Sequence, residues 1–408
     1  MQNRRPLSPW VAVPALIVLG GVGAGIISGL LVFFLHGVTW LAFGVFNETE
    51  PIVWWRRLIA PIIGGTLAGL GWWWLRKRVQ RVNSHHVARD PKTYRLPFWG
   101  TIADGLLQMF LVSTGASLGR EGAPREASAA VMDRLAIRIR ASDELRGMFV
   151  AAAAGAGLAA VYHVPLAGVL FSIQVVFQRP SWRLLGVALP TSLIATWVAS
   201  VAVTDYPIYR FPPVALDWGN VWWMLLAIPA CWLIGPAFEA LTHWGRRFGG
   251  NKPKILPLWL GLAGVVMGVA AVSSPILIGN GIALTQQSFD AALGWMLVVL
   301  AVAKMLLTSM FFAAGAAGGR LNPALAVGGA MGAGIAALAG LPPMTIAVAA
   351  LAGATGVLAI SQRAPLFAAI FVWELTDADP TLVLALIPIA LLSYHPVRMA
   401  DEWRERND

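Results

Sequence analysis

Charge is scarce in this chain. Only 12% of its 408 residues are Asp, Glu, Lys or Arg, against about 25% in an ordinary soluble domain. A surface so poor in charge, on a chain that is 58% hydrophobic, excludes a protein that folds in water. Cysteine is nearly absent too. The lone Cys231 forbids an intrachain disulfide, and no cysteine cluster exists to hold zinc. Histidines are few: His85 and His86 are adjacent rather than at metal-ligand spacing, and His163 and His395 stand alone. No metal or other cofactor is expected. No nucleophile–base pair stands out either, which argues against a membrane-embedded enzyme.

What is abundant is apolar length. No charged residue lies between Arg5 and Glu48, well beyond the roughly 20 residues of a spanning helix. The stretch is too long for a signal-peptide core. Fourteen apolar segments follow one another from 9–36 to 381–394. Many are shorter than a full span and are broken by Gly or Pro, a pattern that points to a transporter's binding site. An all-α integral membrane protein is expected.

The net charge of +10 is gathered in short basic segments between apolar runs. These are Arg76, Lys77, Arg78 and Arg81; Arg134, Arg138 and Arg140; and Arg246, Arg247, Lys252 and Lys254. Arg4 and Arg5 open the chain, and Arg398, Arg404 and Arg406 close it. This is a positive-inside pattern. It places both termini and these loops in the cytoplasm, implies contact with membrane lipid, and leaves no reason to expect nucleic acid. The tryptophans group as Trp54-Trp55, Trp72 to Trp74 and Trp222-Trp223, as an aromatic belt would.

The segments repeat. Residues 101–120 align without gaps on 301–320, matching Ala103, Leu106, Leu107, Gly115, Ala116, Gly119 and Arg120 with the same residue types 200 positions on. Pro124 meets Pro323, Pro165-Leu166 meets Pro365-Leu366, and Phe171 meets Phe371. A single domain over 1–408, built from homologous halves of about 1–205 and 206–408, is the expected organisation.

Each half contains an apolar helix, a Gly-rich break and a second helix. The breaks are Gly119-Arg120-Glu121-Gly122-Ala123-Pro124 and Gly318-Gly319-Arg320-Leu321-Asn322-Pro323. Glycine lets the backbone turn within the membrane, and proline suits the first helical turn, where an N–H is orphaned anyway. The remaining N–H groups and the helix dipole make an anion site. Such backbone survives at membrane depth only where it lines a cavity or is buried in protein. Glu121 is a carboxylate at one helix start. It can occupy the anion site itself and leave it when protonated or displaced, which makes it a gate. The alternative is a carboxylate that caps its own helix.

The G-R-E-G turn at 119–122, P-L-A-G-V-L-F at 165–171, G-G-x-x-x-P at 318–323 and E-L-T-D at 374–377 together resemble the CLC family of chloride channels and chloride/proton antiporters. The resemblance runs from about residue 10 to 395. It implies two inverted-topology repeats of tilted, broken helices, a homodimer, and transport of chloride or a similar small anion. It makes Glu121 the gating residue. It makes Gly119, Arg120, Gly122, Gly319, Arg320, Leu321 and Asn322 the anion-binding turns. Ser84, in Asn83-Ser84-His85-His86, is the match to the family's anion-binding serine, and Tyr394 to its inner tyrosine. The family's internal proton-carrying glutamate aligns with Val175, so the resemblance argues against proton coupling; water or Glu126 is the substitute to consider. Leu321 stands where the family has phenylalanine. Arg320 and Asn322 differ from the family's fluoride-exporting branch, so chloride is the expected ion. Asp104 and Lys304 occupy matching positions, and a structural ion pair between them is expected; Lys304 as a contributor to the anion's field is the other reading.

Overall fold

The computed structural model describes residues 9–45, 51–204, 206–249 and 255–407. Arg4, Arg5, Lys252 and Lys254 lie outside the described residues, as do the side chains of Arg404 and Arg406. Among the described residues the regular elements are helices, joined by turns and irregular segments. In order the helices are α1 Pro9–Phe43, α2 Trp54–Arg76, α3 Ser84–Arg89, α4 Phe98–Ser113, α5 Gly122–Arg138, α6 Asp143–Tyr162, α7 Pro165–Phe171 and α8 Trp182–Ala199. There follow α9 Trp218–Gly249, α10 Leu256–Ser273, α11 Ile282–Phe289, α12 Met296–Ala313, α13 Leu321–Leu338, α14 Pro343–Gln362, α15 Pro365–Thr376 and α16 Val383–Asn407. Ten of them are long and apolar enough to cross a membrane.

Two compact units interleave along the chain. The first comprises the described residues of Met1–Phe34, Trp74–Leu107 and Glu121–Tyr206. In it α6 packs against α3, α5, α7 and α8. Its sequence AAAAGAGLAA lets neighbouring backbones come close, the way helices associate without a hydrophobic drive in lipid. A Cβ at Gly157 would collide with the Pro124 carbonyl oxygen on α5, and one at Gly155 with the Gly168 carbonyl oxygen on α7. Ala24, Ala156, Ala160, Ala195 and Ala199 form a fully buried cluster beside them.

The second unit comprises the described residues of Leu35–Trp73, Gln108–Arg120 and Pro207–Asp408. There α14 packs against α9, α13, α15 and α16, and α12 against α9 and α13. The facing glycines Gly328 of α13 and Gly353 of α14 leave no room for a Cβ on either side.

Local geometry recurs at an interval of 200. Helix α6 ends at His163 in the left-handed conformation (φ 57°), and α14 at Arg363 (φ 54°). Pro165 and Pro365 then each open the next helix at its first position. The aromatic groups divide by exposure. Trp54, Trp55, Trp74 and Trp222 face outward as a belt requires, whereas Trp72 is fully buried and belongs to the core.

Candidate functional site

The two Gly-rich breaks have one local geometry. After α4, Gly115 turns with φ 103°; after α12, Gly315 turns with φ 92°. Both are left-handed values that favour glycine. Ala116 N–H donates to Leu111 O at 3.2 Å, and Ala316 N–H to Phe311 O at 3.0 Å. Beyond these turns the breaks are joined to each other. Gly119 N–H donates to Gly319 O at 2.9 Å, and Gly319 N–H donates to Gly119 O at 3.0 Å. A reciprocal pair is the pattern of an antiparallel bridge. It joins the two residues that the 200-residue alignment matches. Ser117 and Thr308 add a hydroxyl–hydroxyl bond of 3.0 Å, both buried. Arg246 of α9 donates to Gly318 O at 3.3 Å.

Helix α13 starts from this bridge. Arg320 holds the N-cap position without a side-chain cap, and Leu321, Asn322 and Pro323 are buried in the first turn. Ala324 N–H closes onto Arg320 O at 3.0 Å. Asn322 is 0% exposed, yet neither its side-chain nitrogen nor its oxygen has a hydrogen-bond partner. A buried orphan of this kind costs about 1–3 kcal/mol. The loop before α11 packs here: a Cβ on Gly281 (φ 106°) would lie 2.8 Å from Ala326 Cβ, 3.4 Å from Lys304 Cε and 3.6 Å from Asn322 O.

Lys304 is fully buried, and its ammonium donates to Leu277 O at 2.9 Å and Gly279 O at 2.6 Å. Asp104 pairs with Arg81 at 3.4 Å. Each charge has a partner in its own part of the chain, where the sequence led us to expect one pair between them. Carbonyls at the start of a loop can hold an ammonium in lipid because they have no helical donors of their own.

Helix α5 begins after Glu121. Glu121 occupies the N-cap position, is 1% exposed, and makes no side-chain cap hydrogen bond to its own helix. Gly122, Ala123 and Pro124 are buried behind it, and Arg120 before it is half-buried.

Ser84 lies in the same unit as α5. It begins α3, is 2% exposed, and is bound to a carboxylate. Its hydroxyl donates to Glu126 Oε1 at 3.0 Å and its N–H to Glu126 Oε2 at 2.6 Å. Arg125 Nε reaches the same Oε1 at 3.1 Å, its guanidinium 5.5 Å from the Phe171 ring centroid. Beside them, burial and then the adjacent His86 hold the His85 imidazole below its ordinary pKa.

Val175 lies in a π-helical turn, Ser172–Phe177, that continues α7 and packs on α3. Such turns are rare and cluster at functional sites. No sequence signal marks one. Tyr394 lies midway along α16, beside the charges of Arg363, Arg398, Asp401 and Glu239. A further buried network went unread. Asp133 of α5 accepts from Arg146 of α6 at 2.6 Å and from Leu96 N–H at 3.0 Å. Arg146 also donates to Tyr94 O at 2.9 Å and to Pro91 O.

The family model described as voltage gated chloride channel matches residues 72–398. The chain is similar to the voltage-gated ClC-type chloride channel ClcB of Salmonella typhi, 26% identical over 363 residues, which cover 85% of this chain and 86% of the relative. Its fold is that of a slow cyanobacterial Cl−/H+ antiporter (TM-score 0.78, 21% identity, 95% and 94% of the two chains covered). It is also that of a CLC-type fluoride/proton antiporter (TM-score 0.76, 18% identity, 95% and 96% covered). A polytopic helical chain matched to that family over four-fifths of its length therefore belongs to the voltage gated chloride channel, or CLC, family of membrane anion transporters and channels rather than to any enzyme family.

Proposed function

We propose that the protein passes a small inorganic anion, chloride in the first instance, across the membrane along a path gated by Glu121. The observation that carries this reading is the buried Glu121 carboxylate, which opens α5 without capping it. A carboxylate placed at a helix start competes with a mobile anion for that start, where the N–H groups and the helix dipole favour negative charge. The orphaned Nδ2 of Asn322 supports an anion at the start of α13, because an anion there would accept from it; the side-chain oxygen would need a donor of its own. Gly119, Arg120, Gly122, Gly319, Arg320 and Leu321 contribute backbone donors and positive potential in this reading. Ser84 and Tyr394 are assigned to the anion path by resemblance alone.

Chloride is chosen because the ClcB relatives are named as chloride channels. One transport domain over residues 1–408, a homodimer, and both termini on the cytoplasmic face of a bacterial-type inner membrane complete the proposal. The test is efflux from liposomes holding the purified protein, read with chloride and fluoride electrodes. Chloride efflux above protein-free vesicles, altered in rate by Glu121→Ala, is expected. Efflux of neither ion, or chloride efflux untouched by the substitution, overturns the reading.

A further inference from the structure

The connection between α2 and α4 is dense in positive charge. Seven Lys and Arg residues fall between Arg76 and Arg95, against the single acid Asp90. They begin where the spanning helix Trp54–Arg76 ends, which puts them at the level of lipid headgroups. Trp74 and Trp99 flank the connection and are 54% and 74% exposed, as the side chains of an interfacial belt are. A positive-inside bias alone needs only hydrated, scattered charges. Two guanidiniums at this end are instead held in place.

The Arg78 guanidinium lies over the Trp74 ring, 3.8 Å from its centroid. The Arg134 guanidinium, near the end of α5, lies 4.9 Å from the Phe98 ring centroid. Phe98 in turn meets Trp99 edge-on at 5.0 Å. Both stacks sit at the first turn of α4, in the first unit. Phe98 and Trp99 belong to that turn. Val79, next to Arg78, packs on it so closely that a Cβ on Gly100 would lie 2.5 Å from Val79 Cγ1. A stacked guanidinium has one face covered, while its N–H donors point outward in the guanidinium plane. Both arginines are exposed. Ion pairs among the described residues of this unit engage Arg81, Arg125, Arg146 and Arg183, but neither Arg78 nor Arg134. Two braced forks without a carboxylate partner, at one helix turn, suit the oxygens of a phosphate.

We infer that Arg78 and Arg134, at the first turn of α4, bind the phosphodiester headgroup of an anionic phospholipid, which ties the α2–α4 connection to the membrane surface. The exposed tryptophans beside the arginines favour a lipid over a dissolved anion. Indole rings sit at the headgroup level of a bilayer, and a free phosphate gains nothing from them. The surplus of basic charge favours an anionic lipid over a zwitterionic one, whose own ammonium it repels. The site is separate from the Glu121 path and stands or falls without it.

The experiment is native mass spectrometry of the full-length protein in detergent, titrated with phosphatidylglycerol, phosphatidylethanolamine or inorganic phosphate. Phosphatidylglycerol is expected to bind about tenfold more tightly than either of the others, or better. Arg78→Gln combined with Arg134→Gln is expected to bind it about twentyfold more weakly, because each basic residue at an anionic headgroup is worth about fivefold. Its affinity for phosphatidylethanolamine is expected to stay unchanged. Arg179→Gln combined with Arg183→Gln removes the same charge from exposed positions elsewhere in the unit. That pair is expected to weaken binding less than about threefold. Arg78→Lys combined with Arg134→Lys keeps the charge but loses the planar fork, and a loss of several-fold is expected. All variants are compared at matched helical circular dichroism. Four results overturn the inference: equal affinity for the two lipids, inorganic phosphate bound as tightly as phosphatidylglycerol, equal losses in the two glutamine pairs, or a lysine pair that binds as wild type does.

Discussion

The Asp133–Arg146 pair sets the position of α3, and hence of Ser84, relative to α5. Both side chains are almost fully buried, at 2% and 5% exposure. Arg146 ties down the 91–94 loop through Tyr94 O and Pro91 O, while Asp133 holds Leu96 N–H. The residue after Arg146, Gly147, has no room for a Cβ beside Ala88 O of α3, at 2.7 Å. Removing one member leaves a buried charge and at least one orphaned backbone group. Breaking a buried pair from one side costs about 3–5 kcal/mol. Asp133→Ala and Arg146→Ala are each expected to lose about that much in unfolding free energy. The double variant is expected to lose less than the sum, with a coupling of about 0.5–3 kcal/mol. Unfolding in detergent, followed by emission from the protein's 19 tryptophans, measures all four species. Single losses below about 1 kcal/mol that simply add would place the pair among ordinary surface salt bridges and refute this account of how α3 is fixed.

Other outcomes follow from single positions. Gly281→Val places a branched side chain at φ 106°, with its Cβ 2.8 Å from Ala326 Cβ; it is expected to lower the unfolding midpoint by more than Gly329→Ala, whose nearest neighbours lie at 3.7 Å. His85 is held below its ordinary pKa of 6.5, chiefly by burial. The unfolded chain therefore takes the proton first as pH falls below that value, and the stability His85 retains above it is lost on the way down. His85→Gln is expected to lose less stability than wild type between about pH 7 and pH 5. Cys231 is buried, so a maleimide is expected to label the native protein in detergent at least tenfold more slowly than the denatured chain; equal rates would contradict the packing of α9 on α14.

The breaks were legible because glycine and proline carry backbone geometry in their identity. Gly115 and Gly315 turn where the alignment matches them, and Gly119 bonds to its own counterpart Gly319. Glu121 drew notice for a different reason: it is a carboxylate set in a Gly-rich break between apolar segments, and the gating role given to it is a proposal. Ser84 was singled out by resemblance alone, and its bond to Glu126 was not anticipated, since no sequence pattern links residues 42 apart. The same holds for Asp133, whose partner Arg146 lies across a helix connection and had been overlooked among the basic residues. The expected pairing of Asp104 with Lys304 failed to anticipate that loop carbonyls and Arg81 could satisfy them separately. Repeat symmetry matches positions, and it does not dictate which polar groups satisfy them. The π-helical turn at Val175 depends on packing against α3 and α6, which no local periodicity reports.

The account's central claim is that the Glu121 carboxylate competes with the transported anion. The most direct measurement is chloride binding to the purified protein by isothermal titration calorimetry, on wild type and on Glu121→Gln, at one pH where carboxylates are ionised. The neutral side chain no longer competes as an anion, so Glu121→Gln is expected to bind chloride at least several-fold more tightly than wild type. Equal affinity in the two proteins, with both folded by tryptophan emission, would contradict it.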